Sequence, residues 1–340
     1  MSLPTAPLGK NGPEVTRVGF GLMGLSAFYG TTKPDHERLA LLDEAYSQGQ
    51  RFWDTADVYG DNEDLLGKWF KANPDKRDSV FLATKFAVRF RDGDFFIDSS
   101  PEYARNACAR SLERLGLPSV DLYYCHRLDG KTPVEKTIKT MVQLKNEGKF
   151  KYLGLSECSA ESLRRAHKIH PISAVQVEYS PFALDIESKQ IDLLRTAREL
   201  GVAIVAYSPL CRGLLSGALK SPDDFEETDF RKYAPRFSAE NFPKNLEFVD
   251  QLKELAKKKG NGVTPSQLVL SWLLGQGEDI FPIPGTTKVE RLKENNGSMK
   301  VELSKDELDY IRKLAEETDV SGHRYPESMV SQLFVDTPPL

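Results

Sequence analysis

Four side chains spread over about seventy residues of sequence make up a proton-transfer set. Asp54 and Tyr59 lie together in FWDTADVYGDNEDLLG, Lys85 follows in VFLATKF, and His126 in LYYCHR. A phenol has an ordinary pKa of about 10 and is a poor acid at neutral pH without help. An ammonium beside it favours phenolate, and a carboxylate beside that ammonium fixes its position and charge. Asp54, Lys85 and Tyr59 supply that chain of groups, and His126 supplies a hydrogen bond to a substrate oxygen. Such a set moves a proton onto a carbonyl oxygen while another agent delivers hydride. Taken singly, each residue has an ordinary explanation: a turn, a solvated lysine, a structural histidine, a packing tyrosine. The chemistry therefore depends on elements that bring all four to one place.

Short, nearly all-apolar runs occur at 18–21, 52–55, 80–84, 122–125, 152–155, 174–177, 203–206 and 280–283. Runs of this kind are the mark of parallel strands buried on both faces. Helical periodicity separates them, with Ala104, Ala107, Cys108, Ser111, Leu112 and Leu115 on one face and Val134, Thr137, Ile138, Met141 and Leu144 on another. Ser100-Pro101, Thr132-Pro133 and Thr264-Pro265 place a capping hydroxyl before a first-turn proline. Gly49, Gly116, Gly148 and Gly201 stand where helices end. Eight strands, each followed by a helix, predict a single α/β domain, a (β/α)8 TIM barrel over 1–320. The tail, 321–340, is expected to fold over the barrel mouth. In this fold reactive groups sit at the C-terminal strand ends, where Asp54, Lys85 and His126 fall, with Tyr59 in the following loop. The connection 208–243 is long enough to imply a task of its own.

GFGLMG (19–24) fits the G-x-G-x-x-G fingerprint of a Rossmann dinucleotide site. That fingerprint must open a helix, but Gly30 and Pro34 interrupt the segment and periodicity resumes only near Asp35. The match is a decoy as a phosphate cradle; its glycines let the first strand's loop pass close beneath a ligand.

The 340 residues are 40% hydrophobic and 28% charged with net charge −4, and acids and bases are interspersed. No basic stripe points to nucleic acid, no apolar run approaches a membrane span, and MSLPTAPLGKNG does not resemble a secretory leader. Cys108, Cys125, Cys158 and Cys211 lack a ligand or redox spacing, so free buried thiols and a cytoplasmic setting are expected. His167 and His170 read as two surface histidines on a helix, and no metal site is expected. Phe28, Tyr29, Phe86, Phe90, Phe230 and Tyr233 are candidates for an aromatic pocket.

At these motifs the sequence resembles the aldo-keto reductases over about 8–318. The resemblance rests on GFGLMG, the D-x-A-x-x-Y-G run at Asp54 to Gly60, the strand-three lysine and the histidine after strand four. GLSEC, VQVEYSP, AYSPLCRGLLSG and PIPGTTKVERLKENNG extend it. It implies NADPH/NADP+ as cofactor and a small-molecule aldehyde or ketone as substrate. Tyr59 would be the general acid, tuned by Lys85 and Asp54, with His126 orienting the substrate. Gly21 and Met23 would lie under the cofactor, Ser156 and Gln176 would meet the nicotinamide carboxamide, and Tyr207 would stack on the ring. Ser208, Leu210, Arg212 and Gly213 would wrap the pyrophosphate. Thr286, Thr287, Lys288 and Arg291 suit a ribose 2′-phosphate, and Glu294 and Asn295 the adenine edge. The nearest likeness is the microbial and plant branch that includes pyridoxal reductases. Three residues depart from the family pattern: Glu157 where asparagine is frequent, Gly285 for lysine, and Arg127 for tryptophan. Arg127 is expected to pair with Asp129, an acidic or phosphorylated substrate being its other candidate partner. The alternative function is a weakly catalytic NADP(H)-binding regulatory subunit resembling potassium-channel β-subunits. Oligomeric state stays open.

Overall fold

The computed structural model describes residues 2–91 and 94–340. Eight parallel strands form one sheet: β3 (Phe20–Gly21), β4 (Phe52–Asp54), β5 (Phe81–Phe86), β8 (Val120–Cys125), β9 (Phe150–Ser156), β10 (Ala174–Glu178), β11 (Ala203–Tyr207) and β12 (Ile280–Pro282). The numbering leaves room for two antiparallel hairpins, β1 (Thr5–Pro7) with β2 (Glu14–Thr16), and β6 (Val88–Arg91) with β7 (Asp94–Ile97). Neighbours in the main sheet follow chain order, and its edges meet. Gly19 N–H donates to Pro282 O at 2.9 Å, Gly21 N–H to Pro284 O at 3.3 Å, and Gly21 bridges Gly285. The sheet is a closed barrel ringed by helices, so it exposes no edge. The seam explains the glycines of GFGLMG. A Cβ on Gly21 would lie 2.7 Å from Ile283 O, and one on Gly285 would lie 2.8 Å from Gly21 O. No α-helix follows these glycines, only the 3-10 turn Met23–Leu25, and α1 begins at Asp35.

Alternation along the strands sorts apolar residues into two cores. Phe52, Ala83, Leu122, Tyr124, Ala174, Ala203, Val205 and Phe281 fill the barrel interior. Ala6, Leu8 and Val15 of the first hairpin join that cluster and close one end. Their sequence neighbours Trp53, Leu82, Tyr123, Cys125, Val175 and Ile204 face outward onto the helices. Two residues per period is therefore visible in which core each side chain enters.

Helix ends follow the expected chemistry with one exception. Ser100 caps α3 (Pro101–Leu115) by accepting from Tyr103 N, and Thr264 forms a capping box with Gln267 on α8 (Pro265–Gly275). Gly49, Gly116, Gly148 and Gly201 all adopt left-handed φ. Thr132, however, does not cap α4 (Val134–Asn146); its hydroxyl donates to Asp129 Oδ2 at 2.8 Å. The 208–243 connection holds four 3-10 turns, from Cys211–Ser216 to Pro235–Phe237, and leads into α7 (Phe242–Lys259). The last residues return to the strand ends. Val335 accepts from Ser159 N and donates to Glu157 O, while Arg165 donates to Thr337 O and Pro338 O. Among the described residues no helix is long and apolar enough to cross a membrane.

Gly154 faces the barrel interior, where a Cβ would lie 2.3 Å from Tyr124 Cδ1 and 3.1 Å from Ala174 O. Gly154→Ala is expected to destabilise the fold by about 1–3 kcal/mol through overpacking. Urea denaturation checks this, and an unchanged midpoint would contradict the interior assignment.

Candidate active site

The interior alternation continues past the apolar residues to the strand ends. Asp54 lies two residues beyond Phe52, Lys85 two beyond Ala83, Gln176 two beyond Ala174, and Tyr207 two beyond Val205. The period that buries the core thus also aims these polar side chains inward, in one layer. Lys85 is 0% exposed; its Nζ donates to Asp54 Oδ1 and, at 2.7 Å, to Thr55 O. The other carboxylate oxygen, Asp54 Oδ2, accepts from Gln176 Nε2 at 2.8 Å. A buried ion pair holds only when further hydrogen bonds occupy its remaining sites, and both conditions are met here.

Tyr59 sits in the loop between β4 and α2 (Asn62–Ala72), its hydroxyl 3.5 Å from Lys85 Nζ. Its ring is held edge-on by Phe28 at 6.3 Å and His126 at 5.8 Å between centroids. Burial, then the Asp54 carboxylate, push the phenol well above its ordinary 10.0. This reverses the expected downward tuning: Asp54 cancels the Lys85 charge, and desolvation disfavours phenolate. Burial in turn lowers the Lys85 amine, against the pull of Asp54.

His126 follows β8 and is fixed by its backbone N–H, which donates to Phe86 O at 2.8 Å. Burial, then Arg127 and Lys85, hold the imidazole well below its usual 6.5. Its Nδ1 is buried without a partner. A neutral imidazole carries one proton, and an unpartnered buried nitrogen is better left as a lone pair. The proton therefore sits on Nε2, available to a ligand oxygen.

The strand ends open into a cleft of about 480 Å³. Asp54, Tyr59, His126, Gln176 and Tyr207 line its inner part, with Gly21 and Met23 below. Ser208, Leu210, Arg212 and Gly213 line one wall. There the backbone is left-handed at Ser208 (φ 47°), Arg212 (φ 53°) and Gly213 (φ 97°). Arg212 lies over the rings of Tyr325 and Phe230, and its Nη1 is buried without a partner, so the wall presents an unsatisfied cation. Thr286, Thr287, Arg291, Glu294 and Asn295 line the far end, at the start of α9 (Val289–Gly297). Lys288, the residue before that helix, is exposed and off the cleft wall; neither it nor Arg291 joins an ion pair among the described residues. The donors fit a dinucleotide: an unpaired guanidinium at a strained turn suits a diphosphate, and cations at a helix start suit a further phosphate.

Lys85 lies where expected, beside Asp54 and behind Tyr59. Two other expected positions fall elsewhere. Ser156 is 1% exposed and off the wall, its hydroxyl accepting from Arg127 Nη1 at 3.1 Å. Arg127 does not pair with Asp129, whose carboxylate accepts from the backbone N–H groups of Ser99, Lys131 and Thr132. Of the aromatic candidates, Phe28, Tyr29, Phe90 and Phe230 reach the cleft. Phe86 instead stacks on Tyr123 in the core, and Tyr233 is 65% exposed outside the cleft. The hairpin of β6 and β7 adds Phe95, and the tail adds Tyr325.

A second buried charge cluster flanks the site. Glu157, with left-handed φ of 49°, is fully buried; burial would raise its carboxyl, but Arg324 and Arg127 hold it low. Arg324 of the tail lies 3.2 Å from Glu157 and 3.4 Å from Glu178, which also meets Arg236. Glu157 accepts from the Tyr207 hydroxyl at 2.7 Å, and that hydroxyl lies 3.3 Å from Tyr325 OH. Sequence reading missed Arg324 and Tyr325, although an acid at position 157, buried at a strand end, signals that a cation must meet it. The four cysteines are buried and unpaired, and no metal-holding cluster exists among the described residues.

Comparison with known proteins finds matches over nearly the whole chain. The model of the Aldo/keto reductase family matches residues 17–316. Aldo-keto reductase str7 of Strobilurus tenacellus is 50% identical, covering 100% of this chain and 99% of its own. The NADP(+) aldo-keto reductase yakc of Schizosaccharomyces pombe is 46% identical over 100% of this chain and 99% of its own. Among solved structures, a glycerol dehydrogenase from Gluconobacter oxydans superposes with a TM-score of 0.81 at 26% identity, covering 93% of this chain and 96% of that one.

Lys85→Met leaves Asp54 buried without its cation. A loss of about 3–5 kcal/mol in folding stability is expected at neutral pH, where the stranded carboxyl must desolvate or take up a proton. Chemical denaturation of the variant checks this; stability equal to wild type would show that the pair is not buried.

Proposed function

The chain belongs to the aldo/keto reductase family, and on that premise we propose that it reduces an aldehyde or ketone to the alcohol with NADPH, Tyr59 giving the proton. One observation carries the reading: the Tyr59 hydroxyl faces an accessible cleft with His126 on one side and, 3.5 Å away, a buried ammonium behind it. The reduced nicotinamide, when bound, supplies hydride to the carbonyl carbon. His126 orients the carbonyl oxygen through its Nε2 proton. Tyr59 O–H then breaks, its proton joins the carbonyl oxygen, and the C=O π pair becomes the new O–H bond. Lys85 faces the phenolate that this step creates. The ammonium thus does little for the resting phenol and much for the charge that develops, which is where stabilisation accelerates a reaction.

The remaining roles follow the cleft. Tyr207 offers a ring face to the nicotinamide, and Gln176, its Nε2 committed to Asp54, keeps Oε1 for the carboxamide. Ser156 would have to reach that carboxamide from behind the wall. Ser208, Leu210, Arg212 and Gly213 hold the diphosphate, with Gly21 and Met23 below. Thr286, Thr287, Arg291 and, from the exposed side, Lys288 hold the 2′-phosphate, while Glu294 and Asn295 meet the adenine. Residues 1–320 are then the reductase barrel, and 321–340 cover its mouth.

In Tyr59→Phe, reduction of 4-nitrobenzaldehyde and of pyridoxal, followed by loss of NADPH absorbance, is expected to fall by at least about 100-fold. NADPH binding, followed by fluorescence, stays near the wild-type value. Reduction at the wild-type rate would contradict the role of the phenol. The pH dependence has a definite sign as well. His126 is held well below 6.5 and is neutral at any pH above its lowered value, and Tyr59 is held above 10.0 and stays protonated below that. The kcat/KM for reduction should therefore show no acid limb near pH 6.5; a limb there that His126→Asn removes would contradict a neutral imidazole.

A further inference from the structure

Arg127 is buried on the cleft wall, yet no described ion pair includes it. Other buried cations are matched: Lys85 by Asp54, Arg38 by Asp61, and Arg324 by Glu157 and Glu178. Arg212 is also unpaired, and the reading above gives it the diphosphate. Arg127 acts on Glu157 and His126 only through space, and its guanidinium has no ion-pair contact among the described residues.

A guanidinium has five N–H donors in a planar fork. Nη1 is spent within the protein, donating to His126 O at 2.7 Å and to Ser156 Oγ at 3.1 Å. Nε and Nη2 make no hydrogen bond to a described residue, and neither is among the fully buried unpartnered atoms, so the fork keeps free donors where Arg127 lines the cleft. The bond to the carbonyl of His126 ties the fork to the very residue that orients the reacting oxygen. Glu157, the acid that acts on Arg127 through space, is itself bonded by Arg324 and Tyr207. Outside this polar floor the cleft is aromatic, with Phe28, Phe90, Phe95 and Phe230.

We propose that Arg127 is a specificity-determining residue that binds a second acceptor oxygen on the carbon next to the reacting carbonyl, so that the preferred substrates are 2-oxo acids and 2-oxo esters with an apolar or aromatic body. This rests on the reductase reading and narrows it. His126 Nε2 and the Arg127 fork together address two oxygens on adjacent carbons, and the unpaired charge favours a carboxylate over an ester. An aldehyde lacking the second oxygen leaves the fork to water.

The test compares benzoylformate, its ethyl ester and 4-nitrobenzaldehyde as substrates of the wild type, Arg127→Met and Arg127→Lys. In Arg127→Met the ratio of kcat/KM for benzoylformate to that for 4-nitrobenzaldehyde is expected to fall about 10- to 100-fold, the range for losing a hydrogen bond from a charged donor. Arg127→Lys restores part of that ratio for the anion, because it keeps the charge but not the fork. An unchanged ratio, or a loss shared equally with a weakened affinity for NADPH, would overturn the proposal and assign Arg127 to the cofactor. Calorimetry of benzoylformate with the NADP+ complex supplies a readout independent of turnover. If the wild type reduces no carbonyl, the reductase reading fails by itself; benzoylformate binding equal in wild type and Arg127→Met would still overturn the role of Arg127.

Discussion

Charge buried inside the barrel constrains everything at its mouth. An ammonium with no exposure is tolerated only because a carboxylate, a backbone carbonyl and an amide surround the pair: Lys85 donates to Asp54 and Thr55 O, and Gln176 donates to Asp54. Three strand ends must keep their register for that to hold. The register comes from the apolar layer below, where Phe52, Ala83 and Ala174 pack two residues earlier on the same faces. Hydrophobic burial sets the positions, and the polar layer inherits them. The inherited arrangement pushes the phenol up and the imidazole down from their ordinary values, beside a buried ion pair.

The cluster around Glu157 applies the same physics to a different end. Its acids are satisfied from two later parts of the chain, Arg236 beyond β11 and Arg324 in the tail. Removing either partner would leave a buried charge, so the tail is tied to the rim by more than apolar contact. Tyr207 shares in this, because its hydroxyl donates to Glu157 while its ring lines the cleft. Tail, rim and the cleft-lining ring of Tyr207 are therefore linked through one carboxylate.

Much of this was legible in the sequence because one rule served two purposes. Short apolar runs marked the strands, and their C-terminal ends marked Asp54 and Lys85, while Gln176 came only from the family resemblance; alternation within the runs, seen in the structure, explains why all three face inward. Elements whose stability comes from packing alone were harder to read. The strand expected over 18–21 is only the two residues of β3, paired with β4 on one side and closed by the seam to Pro282 and Pro284 on the other. The hairpin of β6 and β7 went unread, although FRDGDFF carries an Asp-Gly pair between aromatic runs, a strong hairpin signal. Arg127 was misassigned because nearness in sequence favoured Asp129, which instead closes its own turn with the N–H groups of residues 131 and 132. The sequence shows that an ammonium is near the phenol but not that burial and the Asp54 carboxylate push the phenol the other way.

The protonation state of Tyr59 is where the account stands most exposed, and it can be read directly. Ultraviolet absorbance of phenolate, titrated in wild type and in Tyr59→Phe, isolates this one hydroxyl by difference. The account predicts no phenolate from residue 59 at any pH below 10, in keeping with a buried phenol beside a neutralised ion pair. Phenolate appearing near neutral pH would contradict it, and would mean that Lys85 acts on the resting enzyme as an unscreened charge.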